Sequence, residues 1–311
     1  MLIEVVDELP PTTADAVRTL ADVVRRHDGV EAFGEQTLLW LAPRSPVAHV
    51  VASLEREAAG DGAREGVPVG PVGYAQVDLG GPADAPASAE LAVLPDARRR
   101  GVGGALLDRV GRVAADAGRP GALVWAHGDL PAARALATSA GLTVQRELLR
   151  MAVALHDAPP APERDDVVVR PFVVGADEDA WVTLNARAFV DHPEQGRLTR
   201  ADVEAREREP WFRADDLLLA ERDGRLVASA WTKVEPGTTT GELYALAVDP
   251  AEQGTGLGRF MTSHVLAHLA GRGMAHADLF VEGGHAAARA TYERAGFRTV
   301  RADVQYGADR S

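Results

Sequence analysis

At 311 residues, 46% hydrophobic and 25% charged, the chain has enough apolar material for two cores of ordinary domain size. A formal net charge of −13 argues against a nucleic-acid or membrane-surface binder, which needs a basic face, and suits an amine-bearing partner. The absence of cysteine excludes disulfides, thiolate metal ligands and a thiol nucleophile, so acyl transfer, if present, is direct.

In chain order, Met1 to Asp7 lacks the basic segment and long apolar core of a signal peptide. No later apolar run approaches the roughly 20 residues of a membrane span, so the expected location is the cytoplasm. Residues 71–79 and 89–94 read as strands around an exposed loop at 80–87. The second strand, with Leu91, Ala92 and Val93, leads into the run Arg98-Arg99-Arg100-Gly101-Val102-Gly103-Gly104. A helical stripe follows at Val102, Ala105, Leu106, Val110 and Val113, then strands at 122–126 and about 144–155. Prolines and charges make 157–166 a stiff, solvated linker between domains at 1–156 and 167–311. In the second half, 177–190 predicts a helix, 216–221 and 226–234 a hairpin about Asp223-Gly224, and 243–248 a strand. The turn Gln253-Gly254-Thr255-Gly256-Leu257-Gly258-Arg259 precedes a helix striped with Leu257, Phe260, Met261, Val265 and Leu269. A strand at 278–281 and a helix at 285–295 complete an α/β order that puts Val248 and Val281 on neighbouring parallel strands.

The two halves are copies. Val93 and Val248, Gly101 and Gly256, Gly103 and Gly258, and Gly141 and Gly296 are each separated by 155 positions. Separated motifs at one constant offset mean a duplicated fold. In each copy the glycines sit at a strand-to-helix turn, where backbone N–H groups lack helical partners and the macrodipole is positive. Without a Cβ in the way, a diphosphate can be held there without lysine.

Gln253-x-x-Gly256-x-Gly258 followed by Ala290-Thr-Tyr-Glu-Arg-Ala-Gly-Phe297 resembles the acyl-CoA site of the GCN5-related N-acetyltransferases. That resemblance implies two tandem α/β domains of this type with mixed, partly splayed sheets. It implies acetyl-CoA as acetyl donor, with no metal, and Tyr292 as general acid for the CoA sulfur. Glu242, three residues ahead of Ala245, fits the base that frees the acceptor amine. The positions 155 earlier are Ala137 and Ala87, so the first copy keeps a phosphate turn but lacks both proton-transfer groups. Taken singly, Tyr292 more often packs and Glu242 is more often a solvated carboxylate. Their joint presence in one copy and joint loss in the other favours function. His264 and His268, at i and i+4, have no third ligand in a recognised spacing and read as packing residues.

Glu35-Gln-Thr, His192-Pro-Glu194, Trp231-Thr-Lys233 and Gly241-Glu-Leu-Tyr-Ala245 narrow the resemblance to the mycothiol synthase family. It implies acetylation of the cysteinyl amine of cysteinyl-glucosaminyl-inositol, and the two linked domains make a monomer the expectation. Carried over, the productive acetyl-CoA site comprises Leu246, Ala247, Val248, Gln253 to Arg259, and His285, Ala286, Ala287, Ala288, Arg289 and Ala290. A second, unproductive site falls at Leu91, Ala92, Val93, Arg99, Arg100, Gly101, Val102, Gly103 and Gly104. Substrate contacts are Glu35, Glu194, Lys233, Glu242 and Phe280. The chain departs from that family where Phe280 replaces a tyrosine and His285 an asparagine. Two other readings stay open: an acetyltransferase acting on another small amine, such as an aminoglycoside or amino acid, and a non-catalytic CoA-binding regulatory protein.

Overall fold

The computed structural model describes residues 1–43, 46–54, 70–190 and 195–309. The chain divides into two compact units, residues 1–147 with 302–311, and residues 148–301.

In the first unit the chain runs β1 (Leu2–Val6), α1 (Pro11–Asp28), α2 (Glu35–Leu39), β2 (Val47–Ser53), β3 (Gly73–Asp78), β4 (Ala87–Val93), α3 (Val102–Asp116), β5 (Ala122–Ala126) and α4 (Pro131–Ser139). The sheet order is β1-β2-β3-β4-β5, with β4 and β5 parallel. Beside β5 it is completed by Val304 to Tyr306 of the final strand, β12 (Arg298–Gly307). β2 is buried on both faces because both are covered. Ala48, Val50 and Ala52 meet Val102, Leu106, Val110 and Ala114 of α3, whereas Val51 meets Val17, Leu20 and Val24 of α1. Burying each of the larger aliphatic side chains contributes about 1.5–3 kcal/mol.

The second unit begins within β6 (Thr143–Ala154) and runs through β7 (Val168–Pro171), α5 (Glu178–Ala188), α6 (Arg200–Glu207), β8 (Leu217–Arg222), β9 (Arg225–Lys233), β10 (Thr240–Val248), α7 (Leu257–Gly271), β11 (His276–Glu282) and α8 (Ala286–Arg294). Its sheet order is β7-β8-β9-β10-β11-β6. Asp223 and Gly224, both left-handed at φ 51 and 71, make the tight turn of the β8–β9 hairpin. On one face α7 buries Leu257, Met261, Val265 and Leu269. Gly241 is required there, because a Cβ on it would press into Leu269. The other face carries an aromatic core of Phe172, Trp181, Trp211 and Trp231, with Trp181 and Trp231 edge to face at 5.3 Å.

The units differ from the division at 156 and 167 read in the sequence. Each takes a strand from the other half of the chain: 148–154 pair with β11, and 304–306 pair with β5. A strand's alternation shows which of its faces is buried but not which edge it joins, so local patterning cannot reveal the exchange. The segment 157–166 is also fastened rather than wholly solvated. The Pro162 carbonyl lies 2.9 Å from His264 Nε2, and the Arg164 guanidinium lies over the Phe260 ring at 5.6 Å. Among the described residues no helix is long and apolar enough to cross a membrane.

Candidate active site

In the second unit, β10 and β11 pair in parallel only from Thr240–His276 to Leu243–Leu279. A bulge between Leu243 and Ala245 then bends β10, and the two strands part. Val248 and Val281 therefore lie on neighbouring parallel strands, as expected, but beyond the paired stretch. Leu246, Ala247 and Val248 stay bonded to β9 while their other edge opens into a wedge. Asp249 caps the following short turn by accepting from Ala251 N at 3.0 Å. Gly254 and Gly256 are left-handed at φ 80 and 83, and Gly256 is the N-cap of the 15-residue helix α7. A Cβ on either would meet no atom within 4 Å, and one on Gly258 only Val248 Cγ2 at 3.9 Å. Buried Leu257 anchors the turn, while Gln253, Thr255 and Arg259 are exposed around it. An open strand edge ending in an open, glycine-lined helix N-terminus fits an extended ligand with a diphosphate.

At the start of α8, His285 serves as the N-cap. Its Nδ1 accepts from Ala288 N at 3.1 Å, so the imidazole caps the helix as an asparagine would. Ala286, Ala287 and Ala290 present only methyl groups. Arg289 ties back to the Gly283 carbonyl at 3.0 Å, and its Nε is buried without a partner among the described residues. On the same helix Tyr292 is 9% exposed, and its ring meets Phe297 at 5.9 Å. Burial alone pushes its phenol up to about 12, so the hydroxyl holds its proton at neutral pH.

Strand register gathers three of the expected substrate residues on the aromatic face of the sheet. Glu242 stands opposite Lys233 on β9 and opposite Asp278 on β11, and Phe280, two residues on, is 40% exposed. Lys233 Nζ lies 2.8 Å from Glu235 Oε1 and 5.2 Å from the centroid of Trp211. Asp278 and its partner Arg150, whose Nε donates at 2.8 Å, extend this charged row, and the sequence reading had missed both. No local signal could have found them, since their proximity depends on β6 joining β11. Glu35 opens α2 in the first unit, and its side chain, like Glu194, lies outside the described residues.

The first unit repeats the wedge. Pairing of β4 with β5 ends at Glu90–Trp125, whereas Leu91, Ala92 and Val93 remain paired with β3. Gly101 is left-handed at φ 83, and Arg99 holds φ 60 where the second copy has Gly254. Val102 is buried, Arg100 is exposed, and a Cβ on Gly103 would stand 3.3 Å from Leu136. A cavity of about 780 Å³ fills this wedge, lined by Leu91 to Val93, Arg99, Gly101, Gly103, Gly104 and Leu136 among others. Arg98 forks onto Asp28 at 2.6 and 2.8 Å and donates to the Val93 carbonyl. Ala137 packs against Tyr306 from β12, whose hydroxyl donates to Asp129 at 2.6 Å. His127 lies between Asp303 at 3.4 Å and Glu90 at 3.2 Å. Burial lowers its pKa, but hydrogen bonds to Asp303 and Glu90 more than reverse this and raise it to about 9.

The acetyltransferase (GNAT) family model matches residues 181–297, which span the second wedge and turn. A mycothiol acetyltransferase of Cellulomonas flavigena is 50% identical across 96% of this chain and 86% of its own. One of Sanguibacter keddieii is 44% identical across 96% and 95%. The chain belongs to the mycothiol acetyltransferase family. It is an N-acetyltransferase built from tandem GNAT domains. Among solved structures, a GCN5-related N-acetyltransferase from Sphaerobacter thermophilus matches with TM-score 0.71 at 22% identity, covering 98% of this chain and 95% of that one. A tandem GNAT protein from the clavulanic acid biosynthesis pathway matches with TM-score 0.69 at 16% identity over 100% of both chains. These two likenesses show the fold.

Proposed function

We propose that the protein acetylates the cysteinyl amine of cysteinyl-glucosaminyl-inositol, giving mycothiol, at the wedge of the second unit. The observation that carries this reading is the extent of the similarity: relatives named mycothiol acetyltransferase match across nearly the whole chain, including both wedges. Acetyl-CoA supplies the acetyl thioester. The edge of Leu246 to Val248 holds its extended arm, and the turn from Gln253 to Arg259 with the start of α8 holds the rest. Glu242 takes the proton of the acceptor amine, directly or through a water, and Tyr292 gives its phenolic proton to the departing sulfur. Lys233 donates to an acceptor hydroxyl, Phe280 packs against the sugar, and Glu35 and Glu194 accept from hydroxyls.

The first wedge holds a second acetyl-CoA without turnover, because Ala87 and Ala137 offer neither base nor acid. The enzyme acts as a cytoplasmic monomer without a metal. Incubation with acetyl-CoA and cysteinyl-glucosaminyl-inositol, followed by mass spectrometry, should show one acetyl group on the cysteinyl nitrogen. Preferential acetylation of an aminoglycoside or a free amino acid would overturn the acceptor assignment.

A further inference from the structure

We propose that Arg164, on the segment joining the two halves of the sequence, is a phosphate-binding residue of the second wedge. This rests on the reading that acetyl-CoA binds there. The two glycine turns differ in charge. The first carries Arg98-Arg99-Arg100, whereas the second carries Gln253-Gly254-Thr255, and the 155-residue offset sets Arg100 against Thr255. The productive turn thus begins without a cation of its own.

The fold brings one to it from far along the chain. Residues ahead of β7 lie along the first turns of α7: the Pro162 carbonyl meets His264, and the Arg164 guanidinium covers the ring of Phe260. This leaves Arg164 Nη1 3.5 Å from the carbonyl of Thr255, beside the left-handed Gly256. The other edge of the guanidinium is fixed, with Nε and Nη2 forking onto Asp166 at 3.0 and 2.9 Å. Among the described residues the 3.5 Å contact is all that engages Nη1, and at that length it holds the nitrogen weakly.

The acidic neighbours do not cancel this cation. Asp166 is shared with Arg222 at 2.6 Å, and Arg222 and Arg225 share Glu252, the residue before Gln253. Both carboxylates are therefore shared between guanidiniums, and neither neutralises Arg164 alone, which leaves its Nη1 edge able to take a phosphate. A fork braced by a carboxylate on one edge and an aromatic ring on its face is already ordered, so a second ligand on Nη1 costs little side-chain entropy.

The test is Arg164→Gln, with Arg164→Lys as a folded variant that keeps the charge but loses the fork. The KM for acetyl-CoA should rise about tenfold in Arg164→Gln, the effect of one charge-assisted hydrogen bond, with kcat unchanged, and rise less in Arg164→Lys. Acetyl-CoA should slow hydrogen exchange of residues 157–165 in the wild type but not in Arg164→Gln. With 3′-dephospho-acetyl-CoA, equal KM for wild type and Arg164→Gln assigns the contact to the 3′-phosphate, and a persisting tenfold gap assigns it to the diphosphate. A wild-type KM in Arg164→Gln, with the exchange protection intact, would overturn the proposal. Gly256→Glu separates the two levels: if it too left acetyl-CoA binding unchanged, the acetyl-CoA reading of this turn would fail along with the proposal.

Discussion

Gly101 and Gly256 form a matched pair that tests the proposed division between a supporting copy and a productive one. Each caps a 15-residue helix at φ 83, with ψ −5 and 3 respectively, and a Cβ on either meets no atom within 4 Å. Alanine at either position therefore costs only the left-handed backbone, about 1–2 kcal/mol, with no steric clash. In a unit of this size that lowers the Tm by about 2–8 °C, and by nearly equal amounts in the two variants. Glutamate adds a charge. At about 5 Å from a phosphate and an effective dielectric near 20, each pair of unit charges repels by about 3 kcal/mol, enough to weaken binding more than a hundredfold. Gly256→Glu should abolish turnover in an assay of CoA release with acetyl-CoA varied. Gly101→Glu should remove one acetyl-CoA equivalent by isothermal titration while turnover falls far less. If Gly101→Glu alone eliminated turnover in a folded protein, or Gly256→Glu kept the wild-type KM, the assignment of roles to the two wedges would be wrong.

Tyr292→Phe keeps the ring against Phe297, so the KM for acetyl-CoA should hold while kcat falls by roughly 10²–10⁴-fold. Because the phenol is pushed up to about 12, Tyr292 should contribute no basic limb to the rate below about pH 10, and a Tyr292-dependent limb near neutrality would contradict its burial. His127, raised from 6.5 to about 9, stabilises the fold fully below about pH 6.5 and loses that contribution as pH rises through about 9. The loss is on the order of 3 kcal/mol, read as a falling urea midpoint, and His127→Gln should flatten it; an unchanged slope would refute the role of the Glu90–His127–Asp303 cluster. His285→Ala should cost about 0.5–2 kcal/mol by removing the α8 cap, and His285→Asn should restore it. Failure of asparagine to rescue would mean the imidazole has another task.

The periodic and chiral parts of the molecule were legible in the sequence. The 155-residue offset reappears in matching helices at 102–116 and 257–271 and at 131–139 and 286–294, and in two N-caps with the same φ. Glycine demands and apolar stripes are local, so the chain states them directly. The exchanged strands, the seat of Arg164 beside Thr255 and the Arg150–Asp278 pair depend on which distant edge a strand meets, and nothing in their own sequence specifies that. The capping role of His285 was also not legible, because a histidine is not among the usual N-cap residues and its spacing points first to a ligand. Arg99 shows the converse: a left-handed arginine at the position of Gly254 marks the first turn as a copy despite its different chemistry.

The acceptor is the central claim, and kcat/KM for cysteinyl-glucosaminyl-inositol against free cysteine amide tests it most directly. If the face bearing Glu242, Lys233 and Phe280 is built for the glycoside, contacts remote from the amine supply binding that the fragment cannot reach. The glycoside should then exceed the fragment by at least about a hundredfold, the worth of roughly two hydrogen bonds, and Lys233→Ala should narrow that gap. Equal kcat/KM for the two amines, or a gap unmoved by Lys233→Ala, would contradict it.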